Sequence, residues 1–325
     1  MTTRWAILGP GAISRDFAQG LVASEHGVLH AVGSSEPERA AEFARNFNAE
    51  VSGSYAEIVA RPDVDAVYIG TVHTAHADLA IAALDAGKAV LCEKPLTHTP
   101  EDTARVLDAA ARSGRPFLEA YKYRFGPLAE ELRSVIRSGE IGTPRHIDAA
   151  FGFEAAERSG RLFDPAVAGG AILDVGGYPV SFAVAVAAWA GLELTASLLE
   201  TDGKVGDTGV DEWATAQIDL GGLIASVSTS IIEDLSWTIT LRGDLGLIEI
   251  PEVWGGRDAG ATSFVVTRTG ESARTVEVAG VNPFGAEADA VSLAIAEGRT
   301  EIPEMTWAES TLVARILADW RASLD

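Results

Sequence analysis

Apolar positions in the first third of the chain fall in short unbroken runs separated by amphipathic stretches. Trp5–Leu8, Val28–Val32, Val64–Gly70, Lys88–Cys92 and Phe117–Tyr121 read as buried strands. Between them, Ile13–Val22, the segment through Arg39–Asn46, and Ala75–Ala86 carry helical spacing, the last stopped by Gly87. Thr99-Pro100-Glu101-Asp102 combines a capping hydroxyl, a proline at the first helical position and two acids in the first turn, so a helix starts there. Strands alternating with helices at this spacing predict a parallel, doubly wound sheet.

The pattern changes near residue 120. A helix begins at Gly126-Pro127, and Gly169–Trp189 is one long helical segment. From about 193 to 278, runs rich in Val, Ile, Thr and Ser are joined by Gly221-Gly222, Gly243-Asp244 and Thr269-Gly270, which predicts a mostly antiparallel sheet. Helical patterns over Glu287–Glu297 and Trp307–Ser323 close the chain. The fold class is α/β: a doubly wound parallel sheet over 1–120 and a C-terminal α/β domain with a large, mostly antiparallel sheet over 121–325.

Composition narrows the functions. With 47% apolar and 22% charged residues the chain is core-forming, and its net charge of −22 disfavours nucleic acid and anionic membrane as partners. We read no membrane-spanning stretch and no leader before the first strand. The single cysteine, Cys92, falls in a strand and reads as a buried, inert thiol, which fits a reducing cytoplasm.

Candidate chemistry begins at Gly9-Pro10-Gly11-Ala12-Ile13-Ser14, between the first strand and first helix. The first glycine permits a tight turn, and the second lets backbone N–H groups approach a pyrophosphate at the helix N-terminus. Ser14 stands where the fingerprint has glycine or alanine, and a plain structural turn is the competing reading. At the second strand's tip the chain reads Gly33-Ser34-Ser35-Glu36, with Arg39 a turn later. No acid sits at the strand end to hold ribose hydroxyls. Ser34, Ser35 and Arg39 suit a 2′-phosphate while Glu36 opposes it, so NADP(H) is favoured over NAD(H).

Glu93-Lys94-Pro95 follows the strand ending at Cys92. In open α/β sheets ligands sit beyond the strand carboxyl ends, and the proline restricts how the lysine is presented. Asp174 and Tyr178, four residues apart at a helix start, share a face. An ammonium near a phenol favours phenolate, so Lys94 can prepare Tyr178 to exchange a proton with a substrate hydroxyl or carbonyl. Asp174 can orient Lys94 or bind a substrate hydroxyl; helix capping for Asp174 and core packing for Tyr178 are the alternatives. His73 and His76 follow the strand Val64–Gly70, and with no third ligand beside them a metal is not expected.

Together these pieces resemble the glucose–fructose oxidoreductase/inositol dehydrogenase (Gfo/Idh/MocA) family. The matching segments are the glycine turn, Tyr68-Ile69-Gly70-Thr71 with His76, Gly87 to Pro95, Glu119-Ala120 with Arg124-Phe125, and Gly169 to Gly176. Tyr178 in place of histidine is similar to the subgroup of dimeric trans-dihydrodiol and NADP-dependent D-xylose dehydrogenases. The resemblance implies hydride transfer between NAD(P) and a sugar, polyol or related diol, with Lys94 and Tyr178 as catalytic pair and Asp174 beside them. It implies cofactor contacts from Gly9, Gly11, Ala12, Ile13, Ser34, Ser35, Arg39, Thr71, His73, His76, Glu93 and Lys94. Phe151, Trp254 and Phe284 are implied as substrate-pocket walls, with core packing as the competing reading. Ser35 stands where NADP-using relatives often carry arginine. Lys122 stands where the family is usually apolar or aromatic, which counts against aryl diols and points to a polar substrate; a solvent-pointing lysine whose stem covers apolar surface is the alternative.

It also implies a homodimer, or a larger assembly, built on the C-terminal sheet. The apolar positions of Ile224–Ile232 and Trp237–Leu241 are the expected interface. A dinucleotide-binding redox sensor without turnover is the rival reading, and such a sensor needs neither Lys94 nor Tyr178.

Overall fold

The computed structural model describes residues 2–254, 256 and 260–324. It divides into two compact units: residues up to Thr97 with Glu101–Phe125 and Val281–Trp307, and His98–Pro100 with Gly126–Gly280 and the chain from Ala308 on.

In the first unit, β1 (Thr3–Leu8), α1 (Ala12–Leu21), β2 (Gly27–Gly33), α2 (Pro37–Asn46), β3 (Val51–Gly53), α3 (Tyr55–Val59), β4 (Ala66–Ile69), α4 (His76–Asp85), β5 (Ala89–Glu93), α5 (Pro100–Ser113) and β6 (Phe117–Ala120) alternate along the chain. The six strands lie in the order β3-β2-β1-β4-β5-β6, and every pairing is parallel. Such a sheet needs helices over both faces, and β4 and β5 are buried at every position, as their unbroken apolar runs require. β3 and α3 were not expected. A capping box between Ser54 and Glu57 starts α3, but elements of three and five residues are too short to show a period.

The second unit holds α6 (Pro127–Arg137), β7 (Pro144–Gly152), α7 (Gly177–Trp189) and seven further strands: β8 (Ser197–Val205), β9 (Asp211–Leu220), β10 (Leu223–Ser230), β11 (Ile239–Gly243), β12 (Gly246–Ile250), β13 (Thr262–Arg268) and β14 (Arg274–Val278). Two helices follow, α8 (Pro283–Glu297) and α9 (Trp307–Ala322). The eight-stranded sheet runs β14-β13-β12-β11-β7-β10-β9-β8, antiparallel except where β7 meets β10. β7, at its centre, was not read from the sequence. Its buried face within the strand is carried by Ile147 and Ala149, opposite the partly exposed His146 and Asp148, so the apolar alternation is faint.

The described chain departs from the division at residue 120 in three places: the first unit runs on to Phe125, His98–Pro100 falls with the second, and a late segment returns to the first. Val281–Trp307, and with it α8, packs with the first unit instead of with the C-terminal sheet. Asn282 starts α8 by accepting from Phe284 N and Gly285 N.

Pro165–Trp189 is long and apolar enough to cross a membrane by composition, although no such stretch was read from the sequence. Of its most apolar window, 94% is buried inside the protein, the environment in which an all-round apolar helix is a core helix. Ile231, Ile239 and Leu241 likewise lie in the protein interior and do not form the exposed interface expected of them; Ile224, Ile232 and Trp237 remain partly exposed.

Candidate active site

The turn after β1 is built around Gly9, at φ +89°, an angle that glycine adopts without strain. Gly9 N donates to Gly33 O at 3.0 Å, and Gly11 N donates to Gly9 O at 2.8 Å. Ser14 explains the imperfect fingerprint: its Oγ donates to Gly9 O at 2.6 Å, and it occupies the space that a Cβ on Gly70 would take. The small residue has moved from the helix to the facing strand end. Gly11 caps α1 without a side-chain bond, and Ala12 and Ile13 open the helix. A helix start with no side-chain cap suits a pyrophosphate, so the turn fits a dinucleotide.

At the tip of β2, Ser34 is buried and its Oγ accepts from Glu36 N at 3.1 Å. Ser35 and Arg39 are exposed, and Arg39 pairs with Glu36 at 3.4 Å. An exposed pair of this kind contributes at most about 1 kcal/mol, little enough for an incoming phosphate to displace.

Beyond the carboxyl ends of β4 and β5 the polar groups crowd together. Lys94 is partly exposed, on a cis peptide bond to Pro95. Glu93 accepts from Tyr68 Oη at 2.8 Å and from Lys94 N at 3.3 Å. Burial raises the Glu93 carboxyl despite the opposing Lys94 ammonium. Burial, then Glu93, pushes the Tyr68 phenol well up, and the ring is stacked on Phe17 at 3.8 Å. His76 is fully buried: Nδ1 lies 3.0 Å from Pro95 O and 3.2 Å from Leu96 O, and Nε2 lies 3.3 Å from Thr71 O. Burial lowers its pKa, and the ring lies between the Thr71 turn and the segment after Lys94, where a neutral imidazole donates to one of the two. His73, also buried, meets it edge-on at 5.8 Å. Cys92 is buried and its thiol is pushed well up by burial, the inert state expected of it.

Lys122 is 8% exposed, which rules out a solvent-pointing side chain, and its Nζ lies 5.8 Å from the centre of the Phe284 ring. Two buried acids of this unit were not singled out for the site. Glu119 is buried in β6 and accepts from Leu96 N at 2.8 Å, holding the segment after Lys94. Glu287 on α8 is fully buried, and neither carboxyl oxygen has a hydrogen-bond partner. Burial raises its pKa well above the ordinary range; Glu93 adds to the rise and Lys122 opposes it. An acid beside the apolar positions Phe284, Ala288 and Val291 was the available signal.

In the second unit, Ile172–Gly176 is a π-helical turn that runs into α7, where a regular α-helix was expected. Asp174 lies on this turn, 5% exposed, and accepts from Arg161 Nη1 at 2.7 Å. Tyr178, 8% exposed, sits in an aromatic cluster. Phe151 meets it edge-on at 5.1 Å, Trp254 lies 5.7 Å away, and Phe151 also contacts Trp254 at 6.1 Å and Trp237 at 5.2 Å. Trp254 Nε1 donates to Ala150 O at 2.7 Å, which fixes that ring. Phe151 and Trp254 are therefore gathered around Tyr178, whereas Phe284 belongs to the first unit beside Lys122.

Asp211, at the start of β9, accepts from Ile172 N at 2.6 Å. Burial raises its carboxyl from 3.8 to about 6 against the pull of the Ile172 amide, Arg321 and the amides of Asp211 and Ala171. Between those two values the folded protein keeps a proton that the unfolded chain releases. Stability therefore falls as pH rises through that window, by roughly 3 kcal/mol in all. Among the described residues, no three His, Cys, Asp or Glu side chains gather as a metal site.

A parallel sheet in the order 3-2-1-4-5-6 with a glycine turn after β1 defines the class, a Rossmann protein that binds a dinucleotide. Residues 3–121 match the model of an oxidoreductase family with an NAD-binding Rossmann fold, and residues 129–249 match the GFO/IDH/MocA C-terminal domain. The chain belongs to the GFO/IDH/MocA family and is an NAD(P)-dependent oxidoreductase. The trans-1,2-dihydrobenzene-1,2-diol dehydrogenase of Mus musculus is 32% identical over 335 residues, covering 100% of this chain and 97% of that protein. The Homo sapiens protein of the same name is 39% identical over 256 residues, 77% of this chain and 75% of its own. A 3-ketoreductase from Actinomadura kijaniata, solved as a point mutant with TDP-benzene and NADP, shares the fold at a TM-score of 0.88 and 22% identity over 100% of this chain and 98% of its own. Levoglucosan dehydrogenase, solved with NADH and levoglucosan, does so at 0.84 and 22% over 99% and 97%.

Proposed function

We propose that the protein transfers a hydride between NADP(H) and the hydroxyl or carbonyl carbon of a sugar, polyol or related diol, with Tyr178 as general acid/base assisted by Lys94. The observation that carries this reading is Tyr178 itself: a phenol in an aromatic cluster, one turn after an aspartate held by Arg161. The relatives named as trans-1,2-dihydrobenzene-1,2-diol dehydrogenases support the substrate class, and levoglucosan dehydrogenase, solved with levoglucosan, shares the fold.

The bound nicotinamide supplies the hydride acceptor or donor. In oxidation Tyr178 takes the proton of the substrate hydroxyl as the carbon loses its hydride; in reduction it returns that proton to the carbonyl oxygen. The Lys94 ammonium stabilises the negative charge that develops on the phenol or substrate oxygen. Asp174 orients the polar groups of the pair. Lys122, held in a buried position beside Phe284, takes a hydroxyl or carboxylate of the substrate away from the reacting carbon. Ser34, Ser35 and Arg39 take the 2′-phosphate, with Arg39 exchanging Glu36 for it. Thr71, His73, His76 and Glu93 shape the nicotinamide end.

The test is an absorbance screen of aldoses, polyols, keto-sugars and trans-dihydrodiols, run with NAD and NADP in parallel. Turnover with polyhydroxylated compounds, faster with NADP, is expected. Binding of either cofactor without turnover of any compound carrying a CH–OH group would sink the reading and leave a redox sensor.

The same reading makes the protein a cytoplasmic homodimer joined through its eight-stranded sheet. α7 packs against β7, β9 and β10. On the opposite strand positions His146, Asp148 and Arg242 form a bonded polar row, with His146 Nε2 to Asp148 Oδ1 at 3.0 Å and Arg242 Nη1 donating to Asp148 Oδ2 at 2.7 Å. Sedimentation at micromolar concentration should give twice the chain mass, and a monomer there would refute the assembly.

A further inference from the structure

We propose that Asp211 is a positioning residue: its carboxylate, seated on the backbone of residues 170–172, fixes the turn that presents Asp174 and Tyr178. The inference rests on the assignment of Tyr178 as the acid/base.

The contact is built from both sides. Ile172 N donates to Asp211 Oδ2 at 2.6 Å, and the Ala171 amide also stabilises the charged carboxylate. Gly170 has φ +113°, and a Cβ on it would overlap Asp211 Oδ1, so glycine is required for the carboxylate to come this close. From the other side, Thr229 Oγ1 donates to Ala171 O at 3.1 Å. One residue start is thus pinned through its N–H groups by β9 and through a carbonyl by β10. The pinned turn is the π-helical Ile172–Gly176, which leads directly into Gly177 and Tyr178.

Other charges near Asp211 do not do this work. Arg321 of α9 stabilises the carboxylate from a distance. Neighbouring Glu212 pairs with Arg158 at 3.7 Å and Lys204 at 3.4 Å, and Asp174 pairs with Arg161. A carboxylate that is costly to keep charged, yet spent on two backbone amides at the start of this helix, is explained by the position it enforces.

Asp211→Asn keeps the size and turns one acceptor into a donor facing a donor. The expected result is a fall in kcat of roughly 10-fold, the loss expected from misplacing a reacting group by a fraction of an ångström. KM for the cofactor should stay within about twofold, and the melting temperature at pH 7 should be unchanged or higher because the buried charge is gone. A merely structural role would lower the melting temperature and leave the kcat of folded enzyme alone. Tyr178→Phe is run beside it. Wild-type kcat in folded Asp211→Asn, with Tyr178→Phe inactive, overturns the inference; an active Tyr178→Phe overturns the acid/base assignment instead. Hydrogen exchange on the wild-type protein gives an arm that needs no variant. Peptides covering residues 170–178 should be protected at pH 7 as strongly as those of α7, and fast exchange there would also overturn it.

Discussion

Replacing Lys94 by alanine, or Tyr178 by phenylalanine, is expected to lower kcat by roughly 10²–10⁴, the range for a positioned acid or base. The two residues make different demands on their surroundings. Tyr178 is enclosed by Phe151 and Trp254, so removing its oxygen leaves the ring packed and the fold undisturbed. Lys94 sits at the end of a strand beside Glu93, and truncating it removes the ammonium that opposes the rise of the Glu93 carboxyl while leaving in place the bonds from Tyr68 to Glu93 and between His76 and Pro95. Both variants should therefore melt near wild type, with the loss in turnover far larger than any loss in cofactor affinity. Stopped-flow measurement of the hydride step would show it directly. Turnover within a few-fold of wild type in both would end the assignment.

The next largest effect is expected at Gly9. A Cβ there would lie 2.5 Å from Thr71 Cγ2 and 3.1 Å from the Gly70 carbonyl, on a residue at φ +89°. The methyl of Thr71 can rotate away, but the Gly70 backbone cannot. Strain and overpacking together should cost about 2–5 kcal/mol in Gly9→Ala. Because the displaced groups are the turn after β1 and the end of β4, the dissociation constant for NADP should rise by about tenfold or more. Urea unfolding and fluorescence titration of the cofactor would measure the two effects. A variant with native stability and native affinity would mean that the turn tolerates a side chain and does not hold the dinucleotide.

What the sequence revealed and what it concealed have physical reasons. Strands buried on both faces announce themselves as continuous apolar runs, and β1, β2, β4, β5 and β6 were all read that way. β7 escaped because Ile147 and Ala149 alone mark its buried face between partly exposed polar positions, although it is a central strand of the larger sheet. The placement of Lys94 was legible because a strand end followed by Pro95 is a local arrangement. Asp211 and Glu287 were not, since their meaning lies in groups far along the chain: Asp211 in the amides near residue 172, Glu287 in the field of Glu93 and Lys122. A motif shows a residue with its neighbours in sequence; these two act on neighbours in space. Ser14 lies between the cases, odd in the fingerprint and explained once Gly70 is seen opposite.

The return of Val281–Trp307 to the first unit bears on how the chain folds as it is synthesised. Gly20 of α1 abuts Phe284, and Ser24 Oγ donates to Asp289 Oδ1 at 2.5 Å, so one flank of the Rossmann unit is made by residues translated more than 260 positions later. Domains commonly complete their folding in order from the N-terminus as they leave the ribosome. Here the first unit must wait, with α1 uncovered, until the whole C-terminal sheet has been made. A chain arrested anywhere before α8 would carry its glycine turn intact and still lack a finished nucleotide-binding unit.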